Sequence, residues 1–417
     1  MSQQPFTPVA DARAHILAAC SPVRGTQRVP VRDALGRVLA ADVISPVSVP
    51  PHDNSAMDGY AVRHADLSAD GETRLTIVGQ AFAGHAWAGE VTTGQAVRIM
   101  TGAMMPAGAD TIVIQESARL DGDAVTIPPG QKAGQHRRRA GEDLRAGEPA
   151  LRAGRLLRPA DIGLAASLGI AELTVRRRVR VGVLSTGDEV MSIGDAPREG
   201  GIYDSNRYTL TGVLTRLGCE VVDLGVARDT REALSDALES AVGEVDALIT
   251  SGGVSVGEAD FVREILASLG QVTFWKIAMK PGRPMAFGEL VRQNAGTGER
   301  GTLLFGLPGN PVATMITFHF FARDALLTLM GVSPVAVPIH FSARSTSVMK
   351  KQPGRTEYQR GILELRDGQW HVAVTGAQGS GILRSMCDAN CIIVLDDDCG
   401  NVAVGDAVTV IPFEGLI

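Results

Sequence analysis

The sequence has no basic excess, no long apolar run and no cysteine framework, and each absence removes a class of function. Lysine and arginine number 40 against 46 acids, a formal net charge of −6, so the overall balance gives no draw toward nucleic acid. Arg137-Arg138-Arg139 and Arg176-Arg177-Arg178 are local basic runs, read as solvated surface near domain junctions. No stretch reads as the roughly 18 apolar residues that a membrane helix needs, so no membrane is expected. The opening residues MSQQPFTPVADARAH lack the positive and apolar regions of a secretory signal, which makes the cytoplasm the expected location. Five cysteines, an odd number in 417 residues, argue against paired disulfides. Cys387, Cys391 and Cys399 lie close in sequence, but their spacing fits no zinc pattern and no histidine sits among them. They read as reduced structural thiols. No nucleophile–base pair and no His/Cys metal cluster stands out.

What is present is an α/β pattern with glycine-rich turns where strands end, from Arg180 to Gly331. Val179–Ser185 reads as a buried strand that empties into Thr186-Gly187-Asp188-Glu189. Helical periodicity follows from Thr211 to Leu217, and a second strand over Glu220–Leu224. A helix over Arg231–Val242 stops at Gly243, and a third strand, Ala247–Thr250, runs into Ser251-Gly252-Gly253-Val254-Ser255. Phe261–Leu269 is helical. Gly306-Leu307-Pro308-Gly309-Asn310-Pro311 ends a further strand, with Asn310 as N-cap and Pro311 at the first position of a long helix reaching about Met330. Phe318, His319, Phe320 and Phe321 within it read as core packing.

The flanks differ. A proline-rich, polar loop over Ser45–Tyr60 precedes short strands with Gly, Asp and Pro turns, and another such run fills Phe341–Ile411. The fold class predicted is multidomain α/β plus β. A discontinuous α+β domain takes residues 1–46 and 141–177, and an inserted β-module takes 47–140, opening on a loop that reads equally as an interdomain linker or as one of catalytic type. A central doubly wound α/β domain takes 178–330 and a small C-terminal β-barrel 331–417.

The chemistry sits in carboxylates in or beside these turns: Asp58, Asp143, Asp188, Glu189, Asp229 and Asp260. Mg²⁺ takes oxygen ligands, commonly one or two carboxylates with phosphate oxygens and water. Backbone N–H groups at Ser251-Gly252-Gly253 and Leu307-Pro308-Gly309 can form a concave nest for an anion. Lys276, Lys280 and Arg283 could bind an anion or be ordinary surface charge. Asp229, Asp260, Ser205 and Asn206 equally read as helix N-caps, and Asp188 as a turn stabiliser. Residues alone reach a Mg²⁺- and phosphate-handling site on an α/β domain.

Eight segments carry a resemblance further. They are Asn54-Ser55-Ala56-Met57-Asp58-Gly59-Tyr60-Ala61, Ile99-Met100-Thr101-Gly102-Ala103, Gly141-Glu142-Asp143 and Ser185-Thr186-Gly187-Asp188-Glu189. Tyr203-Asp204-Ser205-Asn206, Ser251-Gly252-Gly253-Val254-Ser255 with Asp260, Met279-Lys280-Pro281-Gly282 and Gly306-Leu307-Pro308-Gly309-Asn310-Pro311 complete the set. In this order, and over essentially its whole length, the chain resembles the molybdopterin molybdenumtransferases (MoeA-like proteins, including the E domain of gephyrin).

The resemblance implies molybdenum cofactor biosynthesis. Adenylated molybdopterin and molybdate would be the substrates, with the pyrophosphate link cleaved, AMP released and Mg²⁺ assisting. It makes the central domain a molybdopterin-binding fold within an elongated four-domain subunit, paired as a homodimer with a composite cleft. Asp58, Asp143, Glu189, Asp229 and Asp260 would hold Mg²⁺ or order the attacking oxygen, the metal set being Asp58, Glu189, Asp229 and Asp260. Thr101 would support them with its hydroxyl. Ser205, Gly252, Gly253, Ser255, Lys276, Lys280, Pro308, Gly309, Arg355 and Ser380 would bind pterin, phosphate and oxyanion. Arg355 stands in Arg355-Thr356-Glu357-Tyr358 and Ser380 in Gln378-Gly379-Ser380. A molybdopterin adenylyltransferase and molybdoenzyme maturation factors are the further partners implied. Two competing readings are a scaffold without turnover and another phosphoryl-handling enzyme on a related α/β domain. The acids at every motif position weigh against the first, and the Ser55–Tyr60 motif and β-module against the second.

Overall fold

The structure is a computed structural model that describes residues 6–253, 260–291 and 301–414. The chain divides into two compact units, one of Met1–Ala40, Ala153–Arg158 and Thr174–Ile417, the other of Ala41–Arg152 and Pro159–Leu173.

The first unit is built on a six-stranded sheet. Its elements are β1 (Arg180–Thr186), α1 (Asn206–Leu217), β2 (Glu220–Ala227), α2 (Arg231–Ala241), β3 (Ala247–Ser251), α3 (Asp260–Leu269), β4 (Gly270–Lys276), β5 (Pro284–Leu290), β6 (Thr302–Leu307) and α4 (Pro311–Thr317). The spatial order is β2-β1-β3-β6-β5-β4, with β1, β2, β3 and β6 parallel and β5 antiparallel to both of its neighbours, β6 and β4. Strands covered on both faces must be apolar throughout, and Val181, Val183 and Leu184 of β1 and Ala247, Leu248 and Ile249 of β3 are fully buried. One face packs under Leu210 and Leu214 of α1 with Val312 and Ile316 of α4. The other packs under Leu234 and Leu238 of α2 with Val262, Ile265 and Leu266 of α3. The sheet is thus doubly wound. The chain leaves β1 in one direction for β2 and returns on the other side for β3, so the order reverses between β1 and β3. A crevice opens at such a switch point, beyond the carboxyl ends of the strands.

α1 begins at Asn206, five residues before the periodicity becomes visible at Thr211, because the buried Asp204 accepts the Arg207 N–H at 3.0 Å. It ends at Gly218, whose φ of 94° is the left-handed stop expected of glycine. The cap of α2 is Thr230, whose hydroxyl accepts the Ala233 N–H at 3.3 Å, so the capping alternative for Asp229 falls away. Asn310 occupies the N-cap position of α4, but its side chain makes no capping bond.

The helix after Pro311 corrects one expectation. Pro311–Leu329 is 19 residues long and apolar enough to cross a membrane by length and composition, yet 78% of its apolar window is buried inside the unit. It is a core helix, interrupted by a π-helical segment at Phe318–Ala322. Phe318, Phe321 and His319 are buried there, as core packing requires. Neither ring nitrogen of His319 has a partner among the described residues, and burial first, then Arg323, pushes its pKa down to about 3. A neutral native imidazole that can protonate when unfolded loses stability as pH falls below about 6.5, by roughly 1.4 kcal/mol per unit until its native pKa is reached. His319→Leu is expected to hold or raise the Tm at pH 7 and to flatten this acid limb. Thermal melts between pH 7 and 4 check it. A steeper acid limb in the variant would refute the assignment.

After α4 the chain closes a small barrel. Phe341–Ser345 pairs with Gln369–Val374, which pairs with Thr356–Arg366, then Cys391–Leu395, then Ala407–Pro412 and back to Phe341–Ser345. Cys391 is buried in it, and burial pushes its thiol up to about 12, as it does that of Cys219. Both thiols are inert, and none of the five cysteines forms a disulfide among the described residues.

The second unit is a six-stranded β-module ordered Thr111–Ile114, Gly59–Val62, Gln95–Ile99, Thr73–Ala81, Ala124–Ile127, Arg119–Asp121. Ala61, Val97, Ile99 and Ile112 fill one core of it, and Val62, Leu75, Val113 and Val125 the other.

Candidate active site

At the switch point three strand ends meet through polar groups rather than packing. Asn206, the first residue of α1, donates from Nδ2 to Ser251 Oγ at 2.7 Å and to the Gly309 carbonyl at 2.6 Å. One buried amide thereby ties the ends of β3 and β6 to the start of α1. Gly252 N–H donates to the Leu307 carbonyl at 3.1 Å, and Gly309 stacks over Gly252. At φ 95° with a would-be Cβ 2.8 Å from the Thr186 carbonyl, position 252 accepts only glycine. Ser185 Oγ, Thr186 Oγ1 and Asn206 Oδ1 are buried with no hydrogen-bond partner among the described residues. Buried polar atoms are nearly always paired, so three orphans at one strand-end crevice point to a polar ligand. Thr186, of the three, also lines a small cavity with Asp229, Thr250, Gly252, Gly253 and Gly306, closed on the α2 and α3 side by Leu234, Leu238, Val262, Leu266, Ala286 and Leu304.

The acids gather at the rim. Asp188 Oδ1 accepts the Asp229 N–H at 3.2 Å, and the Glu189 carboxylate lies against Gly187, where a Cβ would come within 2.6 Å of it. Asp188, Glu189 and Asp229 are all exposed. Among the described residues no three His, Cys, Asp or Glu side chains converge on one point as a metal cage. Asp260 begins α3, its side chain lying outside the described residues, as Ser255 does entirely. Ser205 takes the N-cap position of α1 without a side-chain bond, and the Pro308 carbonyl accepts the Thr314 hydroxyl at 2.6 Å.

The basic candidates collect at the joint with the barrel. Met279–Lys280 pairs in parallel with Thr356–Glu357, which sets Lys280 opposite Glu357 on the strand that Arg355 leads into. Lys280 Nζ lies 3.4 Å from the buried Glu357, a partner that the sequence reading passed over. Lys280, Lys350, Glu357, Arg360 and Gln378 line a cleft of about 210 Å³. Lys276, the last residue of β4, is half-buried and makes no ion pair among the described residues. Ser380 docks through its carbonyl on the Val312 N–H at 3.0 Å, beside the Gly309-Asn310 turn.

In the β-module, Asp58 and Thr101 come together. Thr101 donates to Asp58 Oδ1 from both its backbone N–H and its hydroxyl, each at 2.7 Å. The N–H first, then the hydroxyl, with Arg98 adding its charge, hold the Asp58 carboxyl below the usual range. It is a fixed, ionised carboxylate on an exposed turn. Asp143 sits apart, in a turn whose N–H donates to the Val49 carbonyl at 3.1 Å, with no bond to Asp58. Asp53, outside the predicted set, organises the preceding loop by pairing with Arg137 and accepting the Ala140 N–H at 2.8 Å.

A wider cleft, about 740 Å³, is at the other end of the central sheet, among Arg24, Arg177, Arg178, Arg180, Glu220 and Asp246. Its charges satisfy one another. Arg177 grips Asp246 with two bonds of 2.7 Å, and Arg180 pairs with Glu220 at 3.1 Å. Size does not make it the site.

Comparison with known proteins accounts for most of the chain. Family models match at residues 7–169 (MoeA N-terminal region, domain I and II), 182–328 (probable molybdopterin binding domain) and 342–413 (MoeA C-terminal region, domain IV). The chain is 44% identical over 394 residues to the molybdopterin molybdenumtransferase of Haemophilus influenzae, covering 94% of this chain and 95% of that one. It is 37% identical over 401 residues to molybdopterin molybdenumtransferase 2 of Mycobacterium tuberculosis, covering 94% and 95%. The crystal structure of the molybdopterin biosynthesis moeA protein from Pyrococcus horikoshii matches with a TM-score of 0.83 at 29% identity, covering 98% of this chain and all of that one.

Proposed function

Because this chain belongs to the molybdopterin molybdenumtransferase family, we propose that it inserts molybdate into the dithiolene of adenylated molybdopterin, cleaving the pyrophosphate bond and releasing AMP. It is a transferase of molybdenum cofactor biosynthesis. The finer chemistry is our reading, and what supports it most is the trio of orphaned buried atoms on Ser185, Thr186 and Asn206 beside glycine-lined turns. The Gly252-Gly253 and Gly309 backbone would receive phosphate oxygens where no Cβ intervenes. Thr186 and Asn206 would complete the ligand's hydrogen bonds, with Ser205 and Ser255 beside them. Lys276, Lys280, Arg355 and Ser380 would offset the charge of the molybdate dianion.

Water adds across the P–O–P bond, giving molybdopterin phosphate and AMP. Two S–Mo bonds form as one oxide leaves as water with the two thiol protons, and molybdenum keeps its oxidation state. Asp58, fixed by Thr101, would orient the attacking water or take its proton. Asp143 would assist. Exposed Glu189 and Asp229, with Asp260 at the start of α3, are the hard oxygen donors that fit Mg²⁺ in company with phosphate oxygens and water. When bound, Mg²⁺ would neutralise charge building on the pyrophosphate oxygens. We place the reaction in the cytoplasm and in a homodimer in which Asp58 of one copy serves the α/β domain of the other. The adenylyltransferase that makes the substrate and the factors that load molybdoenzymes are the partners this chemistry requires.

The test is AMP release from adenylated molybdopterin by purified protein with Mg²⁺, with and without molybdate. Release that depends on molybdate is expected. Tight pterin binding without release would leave a scaffold, and release indifferent to molybdate would mark a pyrophosphatase.

A further inference from the structure

Arg360 is fully buried, yet no carboxylate pairs with it among the described residues. A buried guanidinium without a counter-charge is costly, so its position calls for a reason. Its partners are all neutral oxygens: Ser385 Oγ at 3.0 Å, and the carbonyls of Ala377 at 3.5 Å, Gln378 at 3.3 Å and Gly379 at 3.0 Å. The backbone of the same residue grips the same loop, its N–H donating to Gln378 Oε1 at 2.8 Å and its carbonyl accepting from Gln378 Nε2 at 3.2 Å.

Three successive carbonyls therefore turn toward one cation. In a trans peptide the carbonyl and the N–H of the next residue point in opposite directions, and no peptide in this loop is cis. The N–H groups of Gln378, Gly379 and Ser380 must then point away from Arg360, toward the outside. None of the three finds an acceptor among the described residues. A run of outward N–H groups backed by an uncompensated positive charge is an anion receptor, and Gln378 lines the cleft that Lys280 and Lys350 share.

We infer that Arg360 is a positioning residue for molybdate: it aims the Gln378-Gly379-Ser380 amides as an oxyanion nest and lends them its charge without touching the anion. This deepens the reading of Lys280, Arg355 and Ser380 as the oxyanion side and rests on it. The test measures the half-saturating molybdate concentration for AMP release beside the KM for adenylated molybdopterin in full-length protein. Arg360→Gln is expected to raise the molybdate value tenfold or more, to leave the pterin KM within twofold, and to be partly rescued in Arg360→Lys. Gly379→Pro deletes one N–H and should act likewise, whereas Gly379→Ala, which keeps it, should lose less. Should Arg360→Gln not fold, the Gly379 pair decides. If folded variants keep the native molybdate value while Ser380→Ala and Arg355→Ala raise it, the inference about Arg360 is wrong and the oxyanion reading stands. If none of Arg360→Gln, Gly379→Pro, Ser380→Ala and Arg355→Ala raises it, the oxyanion reading falls and takes the inference with it.

Discussion

Asp58→Ala is expected to lower molybdate-dependent AMP release by roughly 10²–10³-fold, the scale typical of removing one preorganised group that acts in the transition state. The fold should be unaffected, because the side chain is partly exposed and its bonds run, among the described residues, only to Thr101. Equal thermal melts with collapsed kcat would separate chemistry from stability. The supporting bonds predict a second effect. Thr101→Val deletes the hydroxyl but keeps the backbone N–H, which contributes most to holding the carboxyl acidic. The carboxyl should then titrate higher, so the acid limb of the kcat profile moves up in pH while the neutral plateau falls about tenfold. An unmoved limb would mean that Asp58 is not the group titrating. The proposed composite cleft adds a mixing test. Asp58→Ala and Glu189→Ala, each inactive alone, should regain activity when subunits exchange, provided that the two residues serve one cleft from different copies. Failure to complement after verified exchange would put both on the same copy.

The architecture was legible because it is written in local patterns. Short continuous apolar runs, glycine at strand ends and a proline after Asn310 give the central strands, their turns and the start of α4. The site was legible only in part, because its key relations are long-range. Asn206 could be read as a possible helix cap, yet its amide bridges Ser251 and Gly309, 45 and 103 positions away. The start of α1 depends on the Asp204 carboxyl and on no apolar repeat, so periodicity finds it late. Lys280 looked like one cation among several, and its acidic partner Glu357 lies 77 positions on. Arg360 looked like any strand residue, and nothing in local sequence says that a charged side chain in an alternating strand faces inward. The membrane-length apolar helix fails the other way, since composition alone cannot tell a bilayer from the inside of a protein.

Asn206→Leu should damage both stability and ligand binding. The substitution keeps volume and removes two short bonds at once, leaving the Gly309 carbonyl and Ser251 hydroxyl without their donor. Unsatisfied buried groups cost about 1–3 kcal/mol each, so a loss of about 2–4 kcal/mol is expected, seen as a lower denaturation midpoint at unchanged m-value. Because the same amide fixes the Gly309 and Gly252 turns relative to α1, pterin affinity should fall further, by roughly 10–100-fold. Asn206→Asp isolates the donor from the shape. The introduced carboxylate would face the Gly309 carbonyl with no proton to offer, so at neutral pH the loss should match or exceed that of leucine. Below the pKa of the introduced group, which burial and the facing carbonyl both raise, the acid form regains one O–H donor, and stability relative to leucine should recover as pH falls. Pterin fluorescence titration and urea melts at pH 7.5 and 5 separate the two effects. Native-like binding and stability in the leucine variant would show that packing, and not this amide, sets the three strand ends in register.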